Sequence, residues 1–371
     1  MKRFFGPGLV LFWMSPIVGE MLSGSSPPAS FFTFFGLTCM SILYGGGAIL
    51  VRETAFRWGK GWPTILVLGA AYGILEEGLL CKSFFNPYWP DAGILGSYGR
   101  WLGTNWVWTV ELTVYHAVIS IAIPILLVGL LFPARRNESW VGRRTQIVLF
   151  VLLMLDSLFG FTFFGGWPAW WREAAPDFAA QAAVPILVAP TAAVPLPVLG
   201  FDHSYFPAVG LCLGAVAAIV GLVLLAKRLP RGAGAPPDVP VTGARPIWFF
   251  AMGFAGIFAF FFISWAVPSI PVAGLRARPI VPILATAALL ALWTWKLRRM
   301  ARGGAGWSDG RALALAAGAL TLFILLTPVH EFFSVVPGKN MHGMLFVGVA
   351  WVVFLFVLRG AIRGGGGPVT K

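Results

Sequence analysis

The stretch 63-PTILVLGAAYGILEEGLLCKSFFNPYW-89 decides how the chain is read. Its first dozen residues are continuously apolar, as in a helix that crosses a bilayer. Two adjacent carboxylates, Glu76 and Glu77, then appear near the end of that helix. Similar apolar runs of about 20 residues, the length needed to span a hydrocarbon core, recur along the whole sequence. The chain of 371 residues is 58% hydrophobic and only 11% charged, outside the range of soluble domains. A transmembrane β-barrel would instead show short alternating segments. The expected fold is an all-α polytopic membrane protein, a bundle of about ten transmembrane helices forming a single domain over 1–371.

Ten spans are expected near 8–24, 31–51, 63–82, 105–132, 146–166, 206–227, 247–267, 279–296, 312–329 and 342–358. The first five occupy 1–166 and the last five 206–371. Between them, 167–205 is rich in Trp and Pro, including Pro168, Pro176, Pro185, Pro190, Pro195 and Pro197. Prolines so close together break a regular helix, so the segment reads as an external loop lying on the bundle. The start, with Lys2 and Arg3 before an apolar run, resembles a signal peptide but lacks a clear cleavage site. It reads as an uncleaved first span.

Basic residues follow every even-numbered span: Arg52, Arg57 and Lys60; Arg135, Arg136, Arg143 and Arg144; Lys227, Arg228 and Arg231; Lys296, Arg298 and Arg299; Arg359 and Arg363. Arg276 and Arg278 are the main exception. This alternation predicts that both termini are cytoplasmic and that the protein lies in the cell membrane. The formal charge of +13 is accounted for by these loops. The expected partners are membrane lipids with anionic head groups rather than nucleic acid. Cys39, Cys81 and Cys212 form no CxxC pair, and neither a disulfide framework nor haem attachment is indicated. The glycines of Tyr44-GGG-Ala48 read as a site of close helix packing.

With this orientation, Glu20, Glu76, Glu77, Glu111, His116, His330, Glu331 and His342 fall toward the outer side. Asp202 and His203, just before the sixth span, join them there. Asp156 is the deepest acid, and Glu53 lies inward among Arg52 and Arg57. Ionisable groups within spans face a bundle interior or a cavity. Glu76, Glu77 and His116 are the primary candidates, on consecutive helices whose ends meet. Glu20, Glu111, Asp156, His330 and Glu331 are supporting or pathway groups. On a regular helix Glu76 and Glu77 diverge by about 100°, so one should line a cavity and the other should anchor to a neighbour. A carboxylate withdrawn from water is a good general base, and a neighbouring imidazole can orient water or share its proton. No HExxH or comparable ligand spacing is present, so metal ranks last and no cofactor is called for.

The pair Glu76-Glu77, followed by a helix carrying Leu112-Thr-Val-Tyr-His116, resembles the CAAX-prenyl-protease and bacteriocin-processing family of glutamate intramembrane proteases. The resemblance implies that a glutamate activates water and that histidine helps bind it or stabilises the oxyanion. It covers 63–132. The family's EExxxR has Cys81 at the arginine position, with Lys82 one residue later, and its FxxxH has Leu112 in place of Phe. Neither His330 nor His342 matches the family's later histidine motif. A membrane-embedded, peptidase-like hydrolase is therefore the first expectation. A proton- or ion-coupled secondary transporter using the same residues is the alternative, and a structural membrane scaffold the third.

Overall fold

The computed structural model describes residues 6–87, 89–163, 205–231, 245–271, 276–302, 308–333 and 339–364. Of the expected loop 167–205, all but Tyr205 lies outside these residues, as do Lys2, Arg3, Asp202 and His203.

Nine helices among the described residues are long and apolar enough to cross a membrane. They are α2 (Phe34–Arg57), α3 (Trp62–Leu80), α4 (Trp106–Leu131), α5 (Arg143–Thr162), α6 (Val209–Arg228), α7 (Pro246–Ser269), α8 (Ile280–Met300), α9 (Asp309–Phe333) and α10 (Met344–Gly364). Before them, α1 covers 7–21 and is shorter than a full span. It still connects the two ends of the bundle. Gly8 packs against Trp140 and Val141 at one end, and Gly24, just past the helix, packs against His330 at the other.

The two ends differ in chemistry. At the first, Arg57 donates to Val141 O at 2.9 Å, Lys60 to Leu229 O, and Arg136 makes a bidentate pair with Asp309 at 2.9 Å for each bond. Arg245, Gly310 and Arg359 line a common groove there. At the second, Lys339 donates to Ser25 O at 2.9 Å and to Asp91 at 2.8 Å, and Tyr98 donates to Ala277 O at 2.7 Å. Lys82 donates to Phe161 O there, at 2.9 Å. The loops thus alternate between ends as the basic residues lead one to expect, and the described stretch begins and finishes at the same end.

Burial is uneven. In α4, 78% of the apolar stretch is inside the protein, against 11% in α6 and in α8. The helix carrying His116 is therefore at the centre, and α6 and α8 present most of their surface outward. A short antiparallel hairpin, Arg100–Trp101 with Thr104–Asn105, leads into α4. Asn105 then caps that helix by accepting from Trp108 N at 3.1 Å.

Close packing explains the glycines of α2. Pro16 has no N–H to donate to the Phe12 carbonyl one turn back. Gly45 sits directly against that carbonyl, where a Cβ would collide with it, and Gly47 fits against the Tyr72 ring in the same way. Ser15 Oγ is shared between Tyr44 O at 3.0 Å and Ser120 O at 2.6 Å, tying α1, α2 and α4 together.

At the basic end Glu53 is fully buried. It accepts from Arg52, from Ser139 Oγ and from Trp140 N at 2.9 Å. Arg52 also lies over the Trp140 ring at 4.0 Å. Removing one member of a buried pair strands the other charge, at a cost of about 3–5 kcal/mol. Glu53→Ala is expected to lower unfolding stability in detergent by that amount, whereas Glu138→Ala, at an exposed pair, should change it by less than about 1 kcal/mol. A second expected outcome concerns Gly45→Ala. Overpacking against Phe12 costs about 1–3 kcal/mol, which thermal unfolding would show.

Candidate functional site

Among the described residues, five π-helical turns interrupt the helices: Ile17–Met21, Ser41–Gly46, Leu75–Leu80, His116–Ala122 and Phe262–Ala266. Their backbone bonds reach five residues back, as in Cys81 N to Glu76 O at 2.7 Å and Leu22 N to Ile17 O at 2.9 Å. Such turns are rare and recur at functional sites. Here they carry Glu20, Tyr44, Glu76 with Glu77, His116 and Trp265 respectively.

Glu76 and Glu77 both reach the His116 ring. Glu76 Oε2 lies 3.2 Å from Nδ1, and Glu77 Oε1 lies 3.1 Å from Nε2. The expected divergence of the two carboxylates is therefore corrected. The extra residue in the π turn narrows the angle between successive side chains, so both point at the same imidazole from opposite edges.

Their second oxygens and neighbours separate their roles. Glu77 Oε2 accepts from Ser83 Oγ, and Ser83 Oγ in turn accepts from the Trp108 indole at 3.0 Å. Glu77 is thus held on both oxygens. His116 Nδ1 lies 3.1 Å from Ser120 Oγ, well placed for a hydrogen bond. Glu76 Oε2 makes no hydrogen bond beyond its ion-pair contact with the ring edge, and the buried Tyr72 hydroxyl stands beside the Glu76 side chain. The anchored carboxylate is Glu77, and the one with a free oxygen is Glu76.

Glu20 stands nearby. Its oxygens accept from the Tyr44 hydroxyl and from Ser26 Oγ at 2.7 Å. The Tyr44 ring lies 5.9 Å from the His116 ring, and Tyr115 packs edge-on to His116 at 5.2 Å. Glu20, Glu76, Glu77 and His116 line a cavity of about 640 Å3, with Leu43, Leu112 and Trp108 on its walls. Its far end is formed by Ser25, Asp91, Lys339 and Asn340, which are partly open to solvent. A deeply buried polar floor is thereby connected to the second end of the bundle.

The other expected residues fall elsewhere. Glu111 is buried behind the cavity against Trp265, and one of its oxygens lacks a partner. Asp156 pairs with Cys39 on the α2–α5 face and does not line the cavity. Glu331 accepts from Leu345 N at 3.2 Å and sits 3.3 Å from His342 Nδ1, so it caps the start of α10. His330 packs under Gly24. Tyr44, Ser26, Ser83 and Ser120 were not foreseen. Tyr44 stands immediately before the three glycines that bring α2 close, which is the one sequence signal that points to it.

The ranking of metal last rests on the lack of a local ligand motif. Through space, Glu76, Glu77 and His116 each place one ligand atom within 4.8 Å of the others.

Removing the Ser83 hydroxyl leaves Glu77 Oε2 and the Trp108 indole unpaired. A buried group left in this state costs about 1–3 kcal/mol. Ser83→Ala is expected to destabilise the protein by that amount, whereas Glu331→Ala should cost only what a lost cap costs, about 0.5–2 kcal/mol. Thermal unfolding of each purified variant measures both.

Comparison with known proteins agrees with the architecture. The model of a family described as "Uncharacterized membrane protein family" matches residues 9–325. A protein of Archaeoglobus fulgidus, described as "Uncharacterized protein", is 30% identical over 121 residues, 32% of this chain. The chain covers 36% of that relative's length. No solved structure matches the chain. A multi-pass helical bundle whose family match runs from α1 into α9 is therefore, plainly, a member of this membrane protein family.

Proposed function

We propose that the protein is a membrane-embedded hydrolase in which Glu76 takes the proton from an attacking water. The observation that carries this reading is the division of labour around one imidazole. Glu77 is anchored by Ser83 and orients His116, while Glu76 lines the cavity with one oxygen that makes no hydrogen bond. A base needs a free lone pair within reach of water, and the orienting group needs a fixed hydrogen bond. Among the candidate carboxylates on the cavity wall, Glu76 meets the first requirement and Glu77 the second. His116 then stabilises the charge that develops as water attacks.

The resemblance to glutamate intramembrane proteases supports an amide or peptide substrate. The basic loops support placing the chain ends in the cytoplasm and opening the cavity to the outer face of the cell membrane. The apolar walls suit a substrate that arrives from within the bilayer or along its surface.

General-base catalysis contributes about 10²–10⁴-fold. Glu76→Gln is expected to lower peptide hydrolysis by that factor in detergent, where no membrane potential exists, while the variant still folds. Charge movement in proteoliposomes without hydrolysis would instead identify a proton- or ion-coupled carrier. A fall in stability with neither activity in the native chain would leave a structural polar network.

A further inference from the structure

We infer that Glu76, Glu77 and His116 form a binding site for one divalent transition-metal ion of the Zn2+ type. Three independent features meet at this cluster. The first is geometric. Glu76 Oε2 lies on the Nδ1 edge of the His116 ring, and Glu77 Oε1 stands 3.1 Å from Nε2 on the other edge. Two donors each about 2.0–2.1 Å from one zinc ion are separated by close to this distance at a tetrahedral angle. All three residues offer a donor within 4.8 Å of the others, so a turn of the Glu76 carboxylate from the Nδ1 edge toward an ion on Nε2 completes a three-donor face.

The second feature is the unpartnered polar atom. Glu76 is 2% exposed, yet its Oε2 has no hydrogen-bond partner. A buried carboxylate oxygen normally finds a donor or a cation. The third feature is charge. Glu20, Glu76 and Glu77 share one cavity with a single imidazole on its floor, and the Lys339 ammonium at the mouth is engaged by Asp91. A divalent ion neutralises two carboxylates where water is scarce.

The donor set selects the class of ion. Imidazole with carboxylates suits zinc and its first-row neighbours, whereas magnesium and calcium favour oxygen alone. With the ion on Nε2 beside Glu77, Nδ1 keeps Ser120 Oγ as its orienting neighbour, as ligating histidines require. The remaining position on the ion faces the cavity. This inference rests on the hydrolase reading for one consequence only. An ion seated on the free oxygen of Glu76 removes the base, so occupancy reversibly silences water activation.

The test is titration calorimetry of Zn2+ into the full-length protein in detergent, with Co2+ as a spectroscopic substitute. One ion per chain is expected, with visible absorption from tetrahedral Co2+ and a rise in the unfolding temperature. Glu76→Gln and His116→Ala should each abolish binding. Glu331→Gln, which removes the acid beside the exposed His342, should leave it intact. Thermal unfolding without metal checks that each variant is folded. Failure of the native chain to bind Zn2+ overturns the site, as does binding lost only in Glu331→Gln. Hydrolysis without zinc binding would sink this inference and leave the hydrolase. Zinc binding by a chain that hydrolyses nothing in its metal-free form would do the reverse.

Discussion

Everything at the working end of this bundle follows from the cost of keeping carboxylates out of water. Glu20, Glu76, Glu77 and Glu111 all lie among apolar helices, and each must be met by donors or by an imidazole. Their donors come from different helices: Tyr44 from α2, Ser83 from the turn after α3, His116 from α4, and Ser26 from the turn after α1. Satisfying the acids therefore fixes how four segments are placed. The bundle is close-packed around its polar groups rather than in spite of them.

The π turns are the backbone's part in the same solution. A regular helix would send Glu76 and Glu77 to different neighbours. One additional residue per turn lets both address the same ring, and comparable turns in α1, α2 and α4 bring Glu20, Tyr44 and His116 to one cavity. The irregularity is confined to places where protein shields it, as a lipid environment requires. Pro16 and the glycines of α2 allow the approach, since a missing N–H leaves the Phe12 carbonyl for Gly45 to pack against.

Much of this was legible beforehand. Apolar run lengths predict nine of the ten expected crossings, the first helix being shorter than a full span, and the rhythm of basic loops predicts the shared end for both described ends of the chain. A contact between this acidic pair and His116 is reachable from helix adjacency, whereas the approach of both carboxylates to the one ring was not expected. Three matters were not legible. The direction of each carboxylate depends on π turns, which leave no mark in hydropathy. The hydroxyl partners Tyr44, Ser83 and Ser120 are single residues brought together from distant positions, and nothing in their spacing announces it. Asp156 and Glu331 look like Glu76 in composition, but one meets a cysteine on an outer face and the other a helix start. Depth within a span indicates where an acid lies and not what it touches.

Lys339 closes the cavity's mouth by holding Ser25 O and Asp91, yet 26% and 37% of these ionic side chains remain exposed. A pair so wet contributes less than about 1 kcal/mol, little more than thermal energy. The entrance is therefore a weak latch on a rigid chamber. Added salt weakens it further. The polar floor, by contrast, is held by buried contacts drawn from four segments, which screening by salt reaches far less.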